Sequence, residues 1–491
     1  MRKGGDTMNG VDLRSIWKKG GAAALDTAIQ SGMTRRWLLR KADRMLGRSL
    51  DEQNFRNLPE RIVRMRKRAI MNLLYSVDRG IERGTIGRSV IRSLLSTFID
   101  NVLVGEGARM QPFYERYGEW PPSFLTISPT KACNLQCKGC YAASTLADTT
   151  TMDYEVFTRL LNEKREEWGS HFSVISGGEP LKYYSRGKEM LDVVAEHPNE
   201  FFMMYTNGTL ITDEVAARMA ELGNISPAIS IEGWEEETDR RRGNGVFAQV
   251  LEAMEHLRRH GVPFGISVTA TIDNAETVVS DEFLDFFYDE QGALYAWIFQ
   301  YMPIGRSYTL DLMITPAQRK MMLERELQLF YEKDRFLVDF WNSGPLSMGC
   351  IAAGRSGGHF YVDWDGNISP CVFFPYAIDN LYEMYARGDT ITSVLFTDYF
   401  KRIRAWQNDY LGHDGKEPVK NLFLPCPIRD HHQIAEQFIT QHDVKPIDPD
   451  AGLAMDDSDY HRAMRDYDTR VAEVLDPMWK EMFPQKERVQ Q

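Results

Sequence analysis

The run Phe124-Leu125-Thr126-Ile127-Ser128, followed by Ala132-Cys133-Asn134-Leu135-Gln136-Cys137-Lys138-Gly139-Cys140-Tyr141, decides how this chain is read. The first five residues are a short apolar, β-branched run closed by a proline, which reads as a buried strand. The cysteines follow its C-terminal end. Five more such runs lie at Phe172–Ser176, Phe201–Thr206, Ile225–Ile231, Pro263–Ala270 and Tyr295–Tyr301. Helical periodicity fills the gaps near 154–165, 187–196, 212–222, 246–259 and 281–288. Strands alternating with helices predict a parallel α/β sheet, open or curled into part of a (β/α)6 barrel, with chemistry at the strand C-termini.

Outward from this core the chain changes character. Residues 1–119 read as a basic helical segment, 120–312 as the barrel, and 313–343 as a connecting helix opened by the N-cap pair Thr315-Pro316. Residues 344–440 are rich in glycine turns and read as a small irregular domain dependent on metal. Residues 441–491 read as a helical tail. With 491 residues, 43% of them hydrophobic, the chain has ample material for a core. It contains no apolar run of the ~18 residues a membrane span requires, and residues after Met1 lack a signal-peptide pattern. A cytoplasmic protein is expected.

The net charge of −12 is unevenly spread. Residues 1–120 hold 23 Lys and Arg against 13 Asp and Glu, and the rest 35 against 57. An acidic body argues against extensive nucleic-acid binding. The basic segment has two readings: peripheral contact with an anionic membrane through residues 58–104, or packing on the acidic body. Apolar stripes from Ile62 to Ile81 and from Val90 to Val102 serve either one.

Cysteine chemistry narrows the function. The six cysteines are Cys133, Cys137, Cys140, Cys350, Cys371 and Cys426, and in a cytosolic setting they point to metal or redox chemistry. Thiolates suit iron–sulfur clusters, zinc or copper(I). Three of them within eight residues can wrap one face of a 4Fe–4S cube and leave its fourth iron open. A structural zinc would need a fourth ligand, and His171 is the next histidine.

The spacing Cys133-x-x-x-Cys137-x-x-Cys140 on a strand-to-helix loop resembles the radical S-adenosylmethionine (radical SAM) enzymes. Gly139 departs from that pattern, since many members carry an aromatic or histidine there. Gly177-Gly178-Glu179-Pro180 resembles the family's GGEP motif, which implies that backbone and Glu179 meet the cofactor's amino group. The resemblance also implies cofactor contacts from Tyr141, from Asn207 in Tyr205–Thr209, from Ser230 and from Arg242, the last pairing with a carboxylate as a bidentate guanidinium can. Arg240 and Arg241 fit a solvated basic run better. Tyr301–Arg306 reads as a substrate-side loop.

Cys350, Cys371 and Cys426 are similar to the SPASM/twitch extensions of the same enzymes, with Tyr361–Cys371 as a hairpin turning at Asp365-Gly366. The full seven-cysteine pattern is missing. One auxiliary 4Fe–4S cluster is implied, with Asp430, His431 or His432 as candidate fourth ligands. The resemblance implies reductive cleavage of S-adenosylmethionine to a 5′-deoxyadenosyl radical, which takes hydrogen from an unactivated C–H bond of a peptide, lipid or other bulky substrate. The electron comes from a flavodoxin- or ferredoxin-type donor. An iron–sulfur electron carrier or sensor without catalysis, and a zinc-binding interaction module, are the alternatives. No general base is evident.

Overall fold

The computed structural model describes residues 31–52, 58–87, 90–91, 106–413 and 415–484. The strands of its main sheet are β1 (Leu125–Ile127), β2 (Phe172–Ile175), β3 (Phe201–Thr206), β4 (Ile225–Ile231), β5 (Gly265–Ala270), β6 (Ala296–Gln300), β7 (Leu337–Asp339), β8 (Tyr361–Val362), β9 (Asn367–Ser369) and β10 (Asp379–Asn380). They are ordered β10-β9-β8-β1-β2-β3-β4-β5-β6-β7. All neighbours from β8 through β1 to β7 pair in parallel, whereas β8–β9 and β9–β10 are antiparallel.

The sheet curls. In a flat sheet β1 and β7 would stand about 29 Å apart, six spacings of about 4.8 Å. Two ring contacts span them instead. Phe124, beside β1, stacks on His359 at 5.0 Å between centroids, and His359 meets Phe340, beside β7, at 6.5 Å. The barrel is therefore closed on this side by aromatic side chains rather than by a hydrogen-bonded ladder.

Two features differ from the sequence expectation. A seventh parallel strand, β7, lies within the segment read as a connecting helix, after the helix Pro316–Glu332. The turn-rich C-terminal region is not separate from the barrel either: its hairpin β8–β9 extends the barrel sheet beside β1. Ser128 and Tyr361 tie the two regions together, the Tyr361 hydroxyl donating to Ser128 Oγ at 2.8 Å.

The helix α1 (Glu60–Arg83) buries Ile62, Val63, Met65, Ala69 and Met71, and the first four share a core with Leu323 and Phe330. Buried Asn72 donates to the backbone carbonyls of Phe330 and Arg335 at 3.0 and 3.1 Å. Arg83 pairs with Asp289 at 2.8 Å, and Arg68 pairs with Asp334. Of the two readings of residues 58–104, packing on the body is the one seen for this helix: its buried apolar residues face the body, and acids of the body meet its arginines. The second stripe, beyond Ile91, lies outside the described residues. Among the described residues no helix is long and apolar enough to cross a membrane.

Candidate active site

Cys133, Cys137 and Cys140 lie on the loop after β1, and that loop is clasped from three sides. The turn after β2 reaches it through Gly178 N to Thr130 O, 2.9 Å, and Glu179 N to Ala132 O, 2.8 Å. A Cβ on Gly178 would stand 2.3 Å from the Lys131 carbonyl oxygen, so only glycine permits this approach. The loop after β6 reaches it through Arg306 N to Cys140 O, 3.0 Å, while the Arg306 guanidinium donates to the carbonyls of Cys137 and Ser144. The third side is the helix α2 (Glu235–Arg242), whose Arg241 carbonyl accepts from Lys138 N at 2.9 Å. The sequence reads Arg306 as part of a substrate-side loop, and nothing local to Gly305-Arg306 signals a carbonyl-capping role.

The other expected cofactor residues converge on the same place. The Tyr141 hydroxyl accepts from Gly177 N at 2.9 Å and reaches Gly177 O at 3.3 Å, fixing the glycine turn. Glu179 is fully buried, with Oε1 accepting from Leu181 N and Thr206 Oγ1 and Oε2 from Asn207 N. Its carboxylate thereby ties the end of β2 to the end of β3. Burial raises its pKa, with those donors and Arg242 acting in opposition. Asn207 Nδ2 donates to Asn134 Oδ1 at 2.9 Å and faces Cys133 Sγ at 3.9 Å. Ser230 and Arg242 line the cavity that Gly177 and Gly178 also line.

Arg241 and Arg242 both donate to one oxygen of Glu232, from Arg241 Nη1 at 2.6 Å and Arg242 Nε at 2.8 Å. Arg241 is thus part of the site rather than of a solvated run, its side chain being 14% exposed against 50% for Arg240. Burial works against the Arg242 charge, but Glu232 holds its pKa above the usual value. Glu232 was unassigned in the sequence; its position one residue after β4, beside an arginine run, was the available signal.

The second cysteine set also converges. Cys350, Cys371 and Cys426 line the same cavity as the first three, and Cys350 and Cys371 act electrostatically on Cys426. Burial pushes the thiols of Cys133 and Cys371 up to about 11 and about 12. The candidate fourth ligands are engaged elsewhere. Asp430 pairs with buried Arg319 and accepts from Cys426 N at 3.1 Å. His431 Nε2 lies 2.9 Å from Leu424 O. His432 bridges Ile428 O and His461 Nδ1 at 2.9 and 2.8 Å.

None of the six cysteines is in a disulfide. Together they line one cavity of about 490 Å³ with mainly apolar walls. Among the described residues no three Cys, His, Asp or Glu side chains close on one point as the ligands of a single metal ion do. All six soft thiols face this one cavity, and thiolates are the ligand type that iron–sulfur clusters take.

Residues 127–287 match the family model of the Radical SAM superfamily. The AdoMet-dependent heme synthase of Methanosarcina barkeri is 30% identical over 223 residues, 44% of this chain and 59% of that protein. The sporulation killing factor maturation protein SkfB of Bacillus subtilis is 30% identical over 267 residues, 51% of this chain and 60% of that protein. The mycofactocin maturase MftC of Mycolicibacterium smegmatis is 29% identical over 310 residues, 60% and 73% of the two chains. The chain spans 37 to 59% of the length of the first curated relatives it matches.

Proposed function

We propose, on the premise that residues 127–287 of this chain are a radical SAM domain, that the protein is a radical SAM enzyme that modifies a peptide at an unactivated C–H bond. The observation that carries this reading is the single cavity reached by both cysteine sets and by the Gly177-Gly178 turn, Asn207, Ser230 and Arg242. Cys133, Cys137 and Cys140 would hold the 4Fe–4S cluster, and Cys350, Cys371 and Cys426 an auxiliary one. When bound, the first cluster and S-adenosylmethionine supply a 5′-deoxyadenosyl radical, which is the cofactor's own chemistry.

The chain's residues bind and orient. Gly177, Gly178 and the Glu179-braced strand ends present backbone to the cofactor's amino group. Arg242, held by Glu232, would offer a cation to its carboxylate, and Ser230 would meet its ribose. The apolar walls keep water from the reacting centre. A flavodoxin- or ferredoxin-type protein would supply the electron. Curated names of two relatives, a maturation protein and a maturase, favour a peptide over a lipid.

The test is anaerobic reconstitution with iron and sulfide, followed by dithionite, S-adenosylmethionine and quantitation of 5′-deoxyadenosine. Wild type is expected to form it and Cys137→Ala is not. The triple Cys350/Cys371/Cys426→Ala variant is expected to lose the iron of one cluster and keep the other. A fully loaded protein that cleaves no cofactor, with or without peptides, would sink the enzyme reading in favour of an electron carrier or sensor.

A further inference from the structure

The walls of the chamber between the two cysteine sets restrict what can react there. Phe299, Phe340, Trp341 and Phe373 form a continuous aromatic group: Phe299 meets Phe340 and Phe373 at 5.6 and 5.7 Å, and Trp341 meets Phe373 at 5.1 Å. Phe373 lies two residues after Cys371, so this group borders the auxiliary cysteines. All four line the chamber, and so does Cys133.

Charge on the wall is scarce. Among the described residues the Asp, Glu, Lys and Arg side chains lining it are Arg241, Arg242 and Asp339. Both arginines are carried by Glu232. Asp339 accepts from Gln300 Nε2 at 2.9 Å and from the backbone N–H groups of Trp341 and Asn342. No cation is left over for an anionic substrate beyond the one offered to the cofactor. Five buried polar atoms of the described wall residues lack partners: Arg241 Nε, whose guanidinium is already paired with Glu232, and the neutral Trp297 Nε1, Gln300 Oε1, Trp341 Nε1 and His359 Nε2. The neutral ones offer hydrogen bonds to a neutral hydroxyl or amide. A cavity of about 490 Å³ sits within the usual ~300–1,000 Å³ of one small-molecule site. Here it must receive the cofactor as well.

We infer that this chamber takes an uncharged, apolar side chain of about aromatic size as the reacting part of the substrate, and rejects a polycarboxylate such as an iron tetrapyrrole. The inference rests on the radical SAM reading and deepens it, since the curated relatives include both maturases and heme synthases. Burying a carboxylate without a partner is strongly unfavourable, and the two arginines of the wall are taken up by Glu232 and the cofactor carboxylate.

The experiment uses the full chain with reconstituted iron and bound S-adenosylmethionine, and equilibrium dialysis of three probes: p-cresol, 4-hydroxyphenylacetate and iron coproporphyrin III. Saturable p-cresol binding is expected, at least roughly tenfold tighter than that of the carboxylate analogue, and unaffected by the tetrapyrrole. Phe373→Leu and Phe299→Leu, checked for folding by circular dichroism, should each weaken it several-fold, by about threefold or more. Absent p-cresol binding, equal binding of the anion, or displacement by iron coproporphyrin III overturns the inference. S-adenosylmethionine is measured in the same cells. Loss of its binding counts against the enzyme reading, whereas bound cofactor without p-cresol counts against this inference alone.

Discussion

The Tyr301 ring occupies the space into which a side chain at residue 139 would project: a Cβ on Gly139 would lie 2.7 Å from Tyr301 Cε2. Tyr301 is buried, its hydroxyl reaching Ser307 O at 3.4 Å and its carbonyl accepting from Arg429 Nη1 at 2.6 Å. The position where many radical SAM sequences carry an aromatic or histidine is glycine here, and an aromatic from the loop after β6 fills the gap. Arg429 lies three residues beyond Cys426, so the second cysteine region helps to set the packing of the first.

Gly139→Phe is therefore expected to destabilise the protein. The new ring meets Tyr301, and Gly139 has φ +63, a left-handed conformation. Overpacking and backbone strain together amount to about 2–4 kcal/mol. Adding Tyr301→Ala should recover about 1 kcal/mol or more. Thermal melts of the two single variants and the double variant measure this; strict additivity would show that the two positions do not share the space.

Removing the negative charge of Glu232 should have two linked effects. Its side chain is 1% exposed and carries Arg241 and Arg242, so Glu232→Gln leaves two poorly solvated cations and costs about 3 kcal/mol. The freed Arg242 then awaits a carboxylate. S-adenosylhomocysteine should raise the melting temperature of Glu232→Gln by more than it raises that of wild type. Equal shifts would mean that Arg242 does not meet the ligand's carboxylate.

Docking of the basic helix rests on one buried amide. Asn72→Ala would leave the Phe330 and Arg335 carbonyls unpaired, at about 2 kcal/mol or more. The melting temperature should fall, while cofactor cleavage at low temperature stays unchanged. An unaltered melt would show that α1 is held by its apolar face alone.

How much of this could be seen in the sequence follows from range. β1 to β6 were legible because each is an apolar, β-branched or aromatic run with polar or turn-forming borders. β7 was not: Leu337–Asp339 is three residues long and follows the charged stretch Glu332-Lys333-Asp334-Arg335 at the end of the preceding helix. The helix α2 has no apolar stripe to detect. Its sequence begins with Glu235, Glu236 and Glu237 and ends with Arg240, Arg241 and Arg242, charges that complement the helix dipole. Residues such as Gly177, Asn207 and Arg242 are singled out through the resemblance of their local motifs to those of a family. Glu232 as the carrier of two arginines, Arg306 as a clasp on Cys137, and Tyr301 against Gly139 depend on contacts between distant segments, which spacing does not encode.

Acid should expose the strain of closing the barrel on a histidine. His359 is buried, stacks on Phe124, and bonds Thr126 Oγ1 through Nδ1 at 2.8 Å. Burial lowers its pKa to about 4, against about 6.5 for an exposed histidine. A depressed pKa favours the neutral folded form, so the contribution to stability is complete above about pH 6.5 and is lost as pH falls through that value toward 4. The loss reaches about 3 kcal/mol at the acid end, from a shift of about 2.5 pKa units. His359→Gln keeps a polar partner for Thr126 and removes the titration. The difference in unfolding free energy between wild type and His359→Gln should shift by that amount between pH 7 and pH 4, with the variant flatter. Urea denaturation at half-unit pH steps measures it. Parallel curves across the window would mean that His359 takes up its proton without leaving the barrel wall.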